Sequence, residues 1–415
     1  MNSVSDAENY VLIAQQEWAL NLGSNARNLA AEISKKHRVM YVNPAMDIKS
    51  IYKQIGTKHG KERLRMALGL GQNTIKAGEN LWVHTPATLN LSINWLRNRK
   101  LYNILNRRNA RGFFKSIRRI LERLNWAEEK TIVFNDSQMF NALYTKTYLA
   151  PLLSFYYIRD NLIEHPYFKY HGSVVEPQAI ATMDAIFANS AYLADYGRHY
   201  NPRSLDIGQG CELDMYDADR NYPIPADIES IPHPRLGYIG FLTGERLDIQ
   251  LLEDLADEKP EWSWVLIGPE EIMFQQSKLH SKPNVYFLGA RKPDTLPTYI
   301  QHLDVCLNPQ SVNALTVGNY PRKIDEYLAM GKPTVATDTP AMQMFLPHVH
   351  LAVGVPAYVQ AIEQALQPVS AADRQAGIDC AKSHTWEACV DKIYATQAEL
   401  LKEKNTTVSQ TLVTT

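Results

Sequence analysis

Cysteine, long apolar runs and net charge are all scarce in this chain, and each scarcity removes a class of protein. The four cysteines among 415 residues, Cys211, Cys306, Cys380 and Cys389, stand far apart, with no CxxC pair and no histidine at metal-ligand spacing. That excludes a disulfide framework and a zinc site, and it fits reduced thiols in a cytoplasmic protein. No segment reaches the ~20 apolar residues that cross a bilayer. Residues 1–9 are polar and acidic, whereas a secretory leader is basic and then apolar. Any membrane contact is therefore expected to be peripheral, at the inner face. A formal net charge of −1 speaks against a nucleic-acid partner, since such domains carry a large positive excess. The loop after the first strand-like run holds no G-x-G-x-x-G, which weakens a dehydrogenase reading. No His/Cys group marks a metal site, and neither metal nor cofactor is expected.

What is present is α/β alternation over a length that suggests two domains of about 200 residues each. Residues 10–14 read as a strand, and Asn21-Leu-Gly-Ser-Asn25 as a loop with backbone freedom and an N-cap. The amphipathic segment 26–36 and a second strand at 38–43 complete the unit. Further strands read at 80–85, 131–134, 153–158, 185–188 and 205–207. The Pro- and Asp-rich stretch 217–234 reads as a linker. Strand and helix alternate again from Leu236 to about Gln367, an amphipathic segment follows from Trp386, and 405–415 reads as a polar, disordered tail.

The densest signal is Tyr320-Pro-Arg-Lys-Ile-Asp-Glu-Tyr-Leu-Ala-Met-Gly-Lys-Pro-Thr-Val-Ala-Thr-Asp338. Pro321 suits the first turn of a helix, Gly331 suits its stop, and a buried strand at 333–337 follows. The helix amino terminus would face the carboxyl end of a strand at 305–308, where free N–H groups and the positive dipole end attract an anion. Lys323 adds a point charge there, and Glu326, one turn further in, can accept hydrogen bonds from vicinal hydroxyls. A diphosphate beside a ribose fits this arrangement best.

Together with Leu236-Gly-Tyr-Ile-Gly240, Trp264-Val-Leu-Ile-Gly-Pro269, Val285-Tyr-Phe-Leu-Gly289 and Asp304-Val-Cys-Leu-Asn-Pro309, this stretch resembles the donor-site signature of GT-B glycosyltransferases, family 4 in particular. The resemblance implies an α/β fold of the GT-B type: two Rossmann-like domains whose parallel sheets face each other across a cleft. Residues 1–216 would bind the acceptor and 235–385 the nucleotide-sugar, with a linker at 217–234. A C-terminal helix at 386–404 would cross back to the first domain. The implied reaction moves a sugar from a nucleotide-sugar to a hydroxyl of a glycan or lipid-linked acceptor in bacterial cell-surface polysaccharide synthesis, with retention and without a metal.

Family members grip the diphosphate with an Arg and a Lys on the loop after this domain's first strand. Here Gly240-Phe-Leu-Thr-Gly-Glu-Arg-Leu247 puts Phe241 in the Arg slot and Arg246 in the Lys slot. The diphosphate is thus assigned to Arg246 and Lys323, and ribose to Glu326. The family's other glutamate, a ligand of the donor sugar, falls on Gly318. Gly318, Asn319 and Asn308 would meet the sugar, and backbone at Gly289 and Ala290 the base. In the first domain, Tyr156-Tyr-Ile-Arg-Asp-Asn161 ends a strand where relatives place His and then Asp. Arg159 and Asp160 take the catalytic positions, Asp160 orienting a hydroxyl and Arg159 meeting a phosphate. The bland alternative is an ion pair at a strand end, and Glu176 on the next helix can pair with Arg159. Gly23, Ser24 and Asn25 would line the acceptor cleft, while His165 and His171 read as surface or packing residues.

Between Lys49 and Arg123, 17 Lys or Arg stand against three acids. Within that block Phe113, Ile117, Ile120, Leu121 and Leu124 share one face of a helix expected over 92–124, with Lys115, Arg118, Arg119 and Arg123 elsewhere. Such a helix either lies on anionic lipid or packs its stripe on its own domain. Two other readings of the chain compete. One is a non-catalytic GT-B-like module that binds a nucleotide-sugar or glycan, motivated by Phe241 and Gly318. The other is a nucleotide-sugar 2-epimerase, which needs more carboxylates and a histidine around the sugar.

Overall fold

A computed structural model describes residues 8–19, 24–314 and 316–413. The chain forms two compact units, Met1–Gly208 with Trp386–Thr415, and Gln209–Thr385. The strands of the first unit are β1 (Asn9–Ile13), β2 (Arg38–Val42), β3 (Met46–Asp47), β4 (Thr74–Lys76), β5 (Leu81–His84), β6 (Leu89–Asn90), β7 (Thr131–Asp136), β8 (Leu153–Ile158), β9 (Ala185–Ala188) and β10 (Ser204–Asp206). Eight of them make one sheet in the order β10-β9-β8-β7-β1-β2-β5-β4, and β3 and β6 pair separately. All sheet neighbours are parallel except β4, which runs antiparallel to β5. β1, β7, β8 and β9 are buried along their whole length, as strands covered by helices on both faces must be. The chain leaves β1 towards β2 on one side and comes back to β7 on the other. The carboxyl ends of β1 and β7 therefore form a topological switch point, the place where ligands of such sheets bind.

The helix Arg99–Arg123 buries Phe113, Phe114, Ile117, Ile120 and Leu121 against Val11, Ile13 and Met40 of the sheet. The expected apolar stripe is thus part of the unit's own core, and the outward face carries the cations together with exposed Leu101 and Ile104 in its first turns. The C-terminal helix, Trp386–Val413, inserts Trp386, Cys389, Val390, Ile393 and Leu400 into the core around Tyr10, Leu29 and Ile33. The stretch from Asn405, expected as a disordered tail, continues this helix to Val413. Arg203 paired with Glu403 and Lys404 Nζ bonded to Leu152 O at 2.5 Å fix the preceding turn, and helix propagates cheaply from a formed turn.

The second unit has six parallel strands, β11 (Arg235–Ile239), β12 (Ser263–Ile267), β13 (Val285–Phe287), β14 (Val305–Asn308), β15 (Thr334–Thr337) and β16 (His350–Ala352). Their order is β13-β12-β11-β14-β15-β16, so this sheet has its switch point between β11 and β14. Together the units are two Rossmann-like α/β domains with parallel sheets. Residues 217–234 are packed on the second unit, with Tyr222, Ile228 and Ile231 in its core beside Tyr299 and Ile300.

Glu176 does not pair with Arg159. Side chains alternate along β8, so Tyr156 and Ile158 face the helix Pro166–Thr182 that carries Glu176, while Tyr157 and Arg159 belong to the opposite face. Glu176 is buried and accepts from Tyr156 OH at 2.7 Å and Tyr196 OH at 3.1 Å. Burial raises its carboxyl from an ordinary 4.5 to about 7 against the lowering effect of those two bonds. The folded state then holds a proton that the unfolded chain releases above pH 4.5. This contribution is full below pH 4.5 and is lost as pH rises through about 7, a change on the order of 3 kcal/mol. Glu176→Gln should flatten the melting temperature against pH across that window, as read by circular dichroism.

Candidate functional site

At the β11/β14 switch point lies a pocket of about 230 Å³ whose wall includes Arg246, Arg322, Lys323, Tyr238, Asn308 and Asn319, with no carboxylate. The signature helix is Arg322–Ala329. Pro321 sits at its N-cap, one position before the first turn, and no side chain caps the terminus. Ile324 N–H is taken by Pro321 O at 2.9 Å, and the N–H groups of Arg322 and Lys323 precede it at the positive end of the helix. Gly331, at φ +62°, ends the helix, with its N–H on Leu328 O at 2.8 Å and that of Lys332 on Tyr327 O at 3.0 Å. Lys323 Nζ lies 4.9 Å from the centre of the Tyr238 ring. Arg322 Nε, Asn308 Nδ2 and Asn319 Oδ1 are enclosed and have no hydrogen-bond partner among the described residues, although Asn308 is 95% buried. Buried polar groups are normally satisfied. Three unsatisfied ones in one wall mark it as built for a polar ligand.

Two devices hold this wall. Gly240 and Gly268 have φ of +151° and +154°; a Cβ on Gly240 would lie 2.7 Å from Lys323 Cε, and one on Gly268 would lie 1.8 Å from Gly240 O. Only a bare backbone lets Lys323 settle there. On the helix's other side, Asp325 is fully buried and accepts from Cys211 Sγ at 2.9 Å and Tyr320 OH at 2.9 Å, with His384 Nδ1 at 2.7 Å. The loop from Pro309 to Asn319 is tied to the loop after β11: Ser311 N bonds Arg246 O at 2.9 Å and Asn313 Nδ2 bonds Glu245 O at 2.9 Å.

Of the expected donor-site residues, Arg246, Lys323, Asn308 and Asn319 meet in this wall. Gly318 is buried next to Asn319. Glu326 is half-buried outside it and takes a hydrogen bond from Tyr216; burial raises its carboxyl, opposed by Lys323, Arg322 and that bond. Gly289 and Ala290 follow β13, away from the wall, and Ala290 O accepts from Arg291 at 3.1 Å. Phe241 is 53% exposed and no part of the wall. Arg322, which sequence reasoning passed over, is a third cation in the wall. Its signal was its place directly before Lys323.

In the first unit Arg159 is largely buried with Nε 3.3 Å from Asp136 Oδ1 and 3.9 Å from Asp160 Oδ2. Asp136, fully buried at the end of β7, also accepts from Gln15 N at 3.3 Å. Burial raises its carboxyl, and the Arg159 charge opposes the rise. Asp160 keeps about a third of its side chain exposed. Ser24 precedes the helix Asn25–Ile33 without a side-chain cap, and Asn25 Nδ2 reaches Tyr157 OH at 3.3 Å. Gly23 lies outside the described residues. His171 stacks on Tyr102 at 3.4 Å and bonds Leu96 O, and His165 caps its own helix. A pocket of about 230 Å³ at the β1/β7 switch point was not anticipated. Its wall is rich in neutral amides, among them Gln15, Asn90, Asn106 and Asn141, beside Tyr167. Its one charged residue, Asp47, accepts at Oδ1 from Ser50 N at 2.7 Å and Ser92 Oγ at 3.1 Å. Among the described residues no group of three or more His, Cys, Asp or Glu is placed to hold a metal ion.

The fold is that of the GT-B glycosyltransferases. Sucrose-phosphate synthase from Thermosynechococcus elongatus superposes with a TM-score of 0.65 over 95% of this chain and 100% of that chain, at 13% identity. The catalytic domain of starch synthase IV from Arabidopsis thaliana gives 0.63 over 96% and 100%, at 11% identity. HepE of Anabaena, in complex with UDP, gives 0.54 over 98% and 100%, at 15% identity. In sequence, residues 233–368, which include the cationic wall, match the family described as glycosyl transferases group 1. A stretch of 149 residues is 28% identical to the putative teichuronic acid biosynthesis glycosyltransferase TuaH of Bacillus subtilis. It covers 35% of this chain and spans 37% of that relative's length. The chain thus has the GT-B glycosyltransferase fold, and the stretch that matches the group 1 glycosyl transferases lies within its second unit.

Gly240→Ala should displace Lys323 and destabilise the protein by about 1–3 kcal/mol, through strain at positive φ and lost packing. Chemical denaturation checks this, with Gly56→Ala, at a position open to added volume, as the near-neutral control.

Proposed function

We propose that the protein transfers a sugar from a nucleotide-sugar to a hydroxyl of a glycan or lipid-linked acceptor in bacterial cell-surface polysaccharide synthesis, with retention of anomeric configuration. The observation that carries this reading is the carboxylate-free wall of three cations around a helix amino terminus. A departing diphosphate needs fixed positive charge where its own charge develops. Arg246, Arg322 and Lys323 hold the diphosphate and neutralise it without a bound metal ion. Asn308, Asn319 and the backbone at Gly318 meet the sugar, Glu326 with Tyr216 the ribose, and backbone at Gly289 and Ala290 the base. The UDP carried by HepE and the teichuronic acid role given to the Bacillus relative support a nucleotide donor and a polysaccharide product.

In the first unit, the amide-lined pocket suits an uncharged, hydroxyl-bearing part of the acceptor. Amides match hydroxyls in both donor and acceptor capacity, and an aromatic such as Tyr167 offers a face to a sugar ring. Asp160 orients the acceptor hydroxyl, while Arg159, bound to Asp136, fixes the strand end from which Asp160 projects. Exposed Phe241 and the missing carboxylate at Gly318 favour one second reading, a binding module without turnover.

Release of nucleoside diphosphate from UDP-, GDP- and ADP-sugars, with EDTA present, tests the proposal. One donor class should be turned over. Arg322→Ala and Lys323→Ala should each raise its KM roughly tenfold, the size of one charged hydrogen bond, with little change in melting temperature. Binding without release in the presence of any acceptor supports the module, and no binding at all defeats both readings.

A further inference from the structure

The short helix Ile48–Gln54 is amphipathic in the reverse sense to a surface helix of a folded domain. It buries no residue. Ile48, Tyr52 and the C-cap Ile55 stand at i, i+4 and i+7, on one stripe, and they are 47%, 89% and 47% exposed. Lys49 and Lys53 border the stripe and are exposed. Trp95, 74% exposed, adjoins the start of this helix, because Ser92 Oγ accepts from Lys49 N at 3.0 Å and Ser92 O from Trp95 Nε1 at 2.8 Å. Among the described residues, ten of the 23 exposed large hydrophobic ones fall within 48–108, and that stretch holds 12 Lys or Arg against two acids. Ile48 and Trp95 directly follow Asp47 and Asn94, which with Ser92 line the amide-rich pocket of the same unit.

We propose that the Ile48–Ile55 stripe and Trp95 dock this unit on an anionic lipid bilayer. Single exposed apolar residues need no explanation, but a stripe of them on a helix that buries nothing does. Charge complementarity selects the occupant. Protein-protein interfaces are depleted of lysine at their centre, whereas Trp and Tyr interleaved with Lys are the side chains that settle at headgroup level, apolar part in and ammonium out. Aliphatic Ile48 and Ile55 have no use against a nucleic acid. The contact lies on this helix, because the apolar stripe of Arg99–Arg123 is already in the core. A lipid-linked acceptor would then be presented beside the amide-lined pocket. The docking itself does not rest on the transferase reading, since vesicle binding needs no turnover.

Co-sedimentation of the full chain with phosphatidylcholine vesicles, with and without phosphatidylglycerol, tests it. The protein should pellet with the anionic vesicles and remain in solution with the zwitterionic ones. The pairs Tyr52→Ser with Trp95→Ser, and Lys49→Glu with Lys53→Glu, should each lower the bound fraction roughly tenfold with the circular dichroism spectrum unchanged. Failure to pellet, or pelleting that either pair leaves intact, overturns the proposal. So does a dimer in gel filtration that the Tyr52/Trp95 pair converts to monomer, which would make the stripe a contact between copies of the chain.

Discussion

Lys323 lies against Gly240, and the cationic wall depends on that close approach. A Cβ on Gly240 would collide with the lysine, and one on Gly268 with the Gly240 carbonyl. The bare backbone thus lets the signature helix bring its amino terminus and two side-chain cations onto the β11/β14 switch point. Buried Asp325 holds the helix at that depth. A carboxylate with no exposed surface is tolerable only while its donors stay in place, and loss of such a partner set costs about 3–5 kcal/mol. Tyr320, one of those donors, belongs to the segment that leads into the helix. One interaction therefore fixes both the helix and its approach.

The two units solve opposite electrostatic problems. The wall in the second has positive charge, a helix dipole and no carboxylate, conditions under which an anion replaces water without repulsion. The pocket in the first has neutral amides, and its one carboxylate is already used in capping a helix. Arg159 and Asp136 neutralise one another beside it. Such a surface discriminates by hydrogen-bond geometry more than by charge, which suits a sugar ring better than a phosphate.

Much of this was legible in the sequence, for a physical reason. Parallel strands buried on both faces appear as apolar runs, and a helix between two such runs is punctuated by Pro321 and Gly331. The long buried strands and the signature helix with Lys323 could therefore be placed, while Arg246 came from the resemblance and the short β3, β4 and β6 were not read. What could not be read depends on convergence of distant loops. Arg322 joins Arg246 and Asn308 from separate segments in one wall, and the amide-lined pocket draws on residues from Gln15 to Phe168. Glu176 was misread as a partner of Arg159 because one step along a pleated strand reverses the face, whereas the expected ion pair with Asp160 is present beside the unforeseen one with Asp136. The helices Ile48–Gln54 and Lys58–Ala67 escaped notice because neither buries a continuous apolar stripe, the feature from which helical periodicity is read. Their N-caps, Asp47 and Thr57, were the only local signal.

Calorimetric titration of the protein with UDP, GDP and ADP, each against its own nucleoside, tests most directly whether the second unit is an anion site for a nucleotide diphosphate. One diphosphate should bind in the micromolar range, with its nucleoside weaker by about a hundredfold, the loss of two charge-assisted contacts. Added salt should weaken the diphosphate far more than the nucleoside. Equal affinity of diphosphate and nucleoside, or no binding of any diphosphate, would contradict the account.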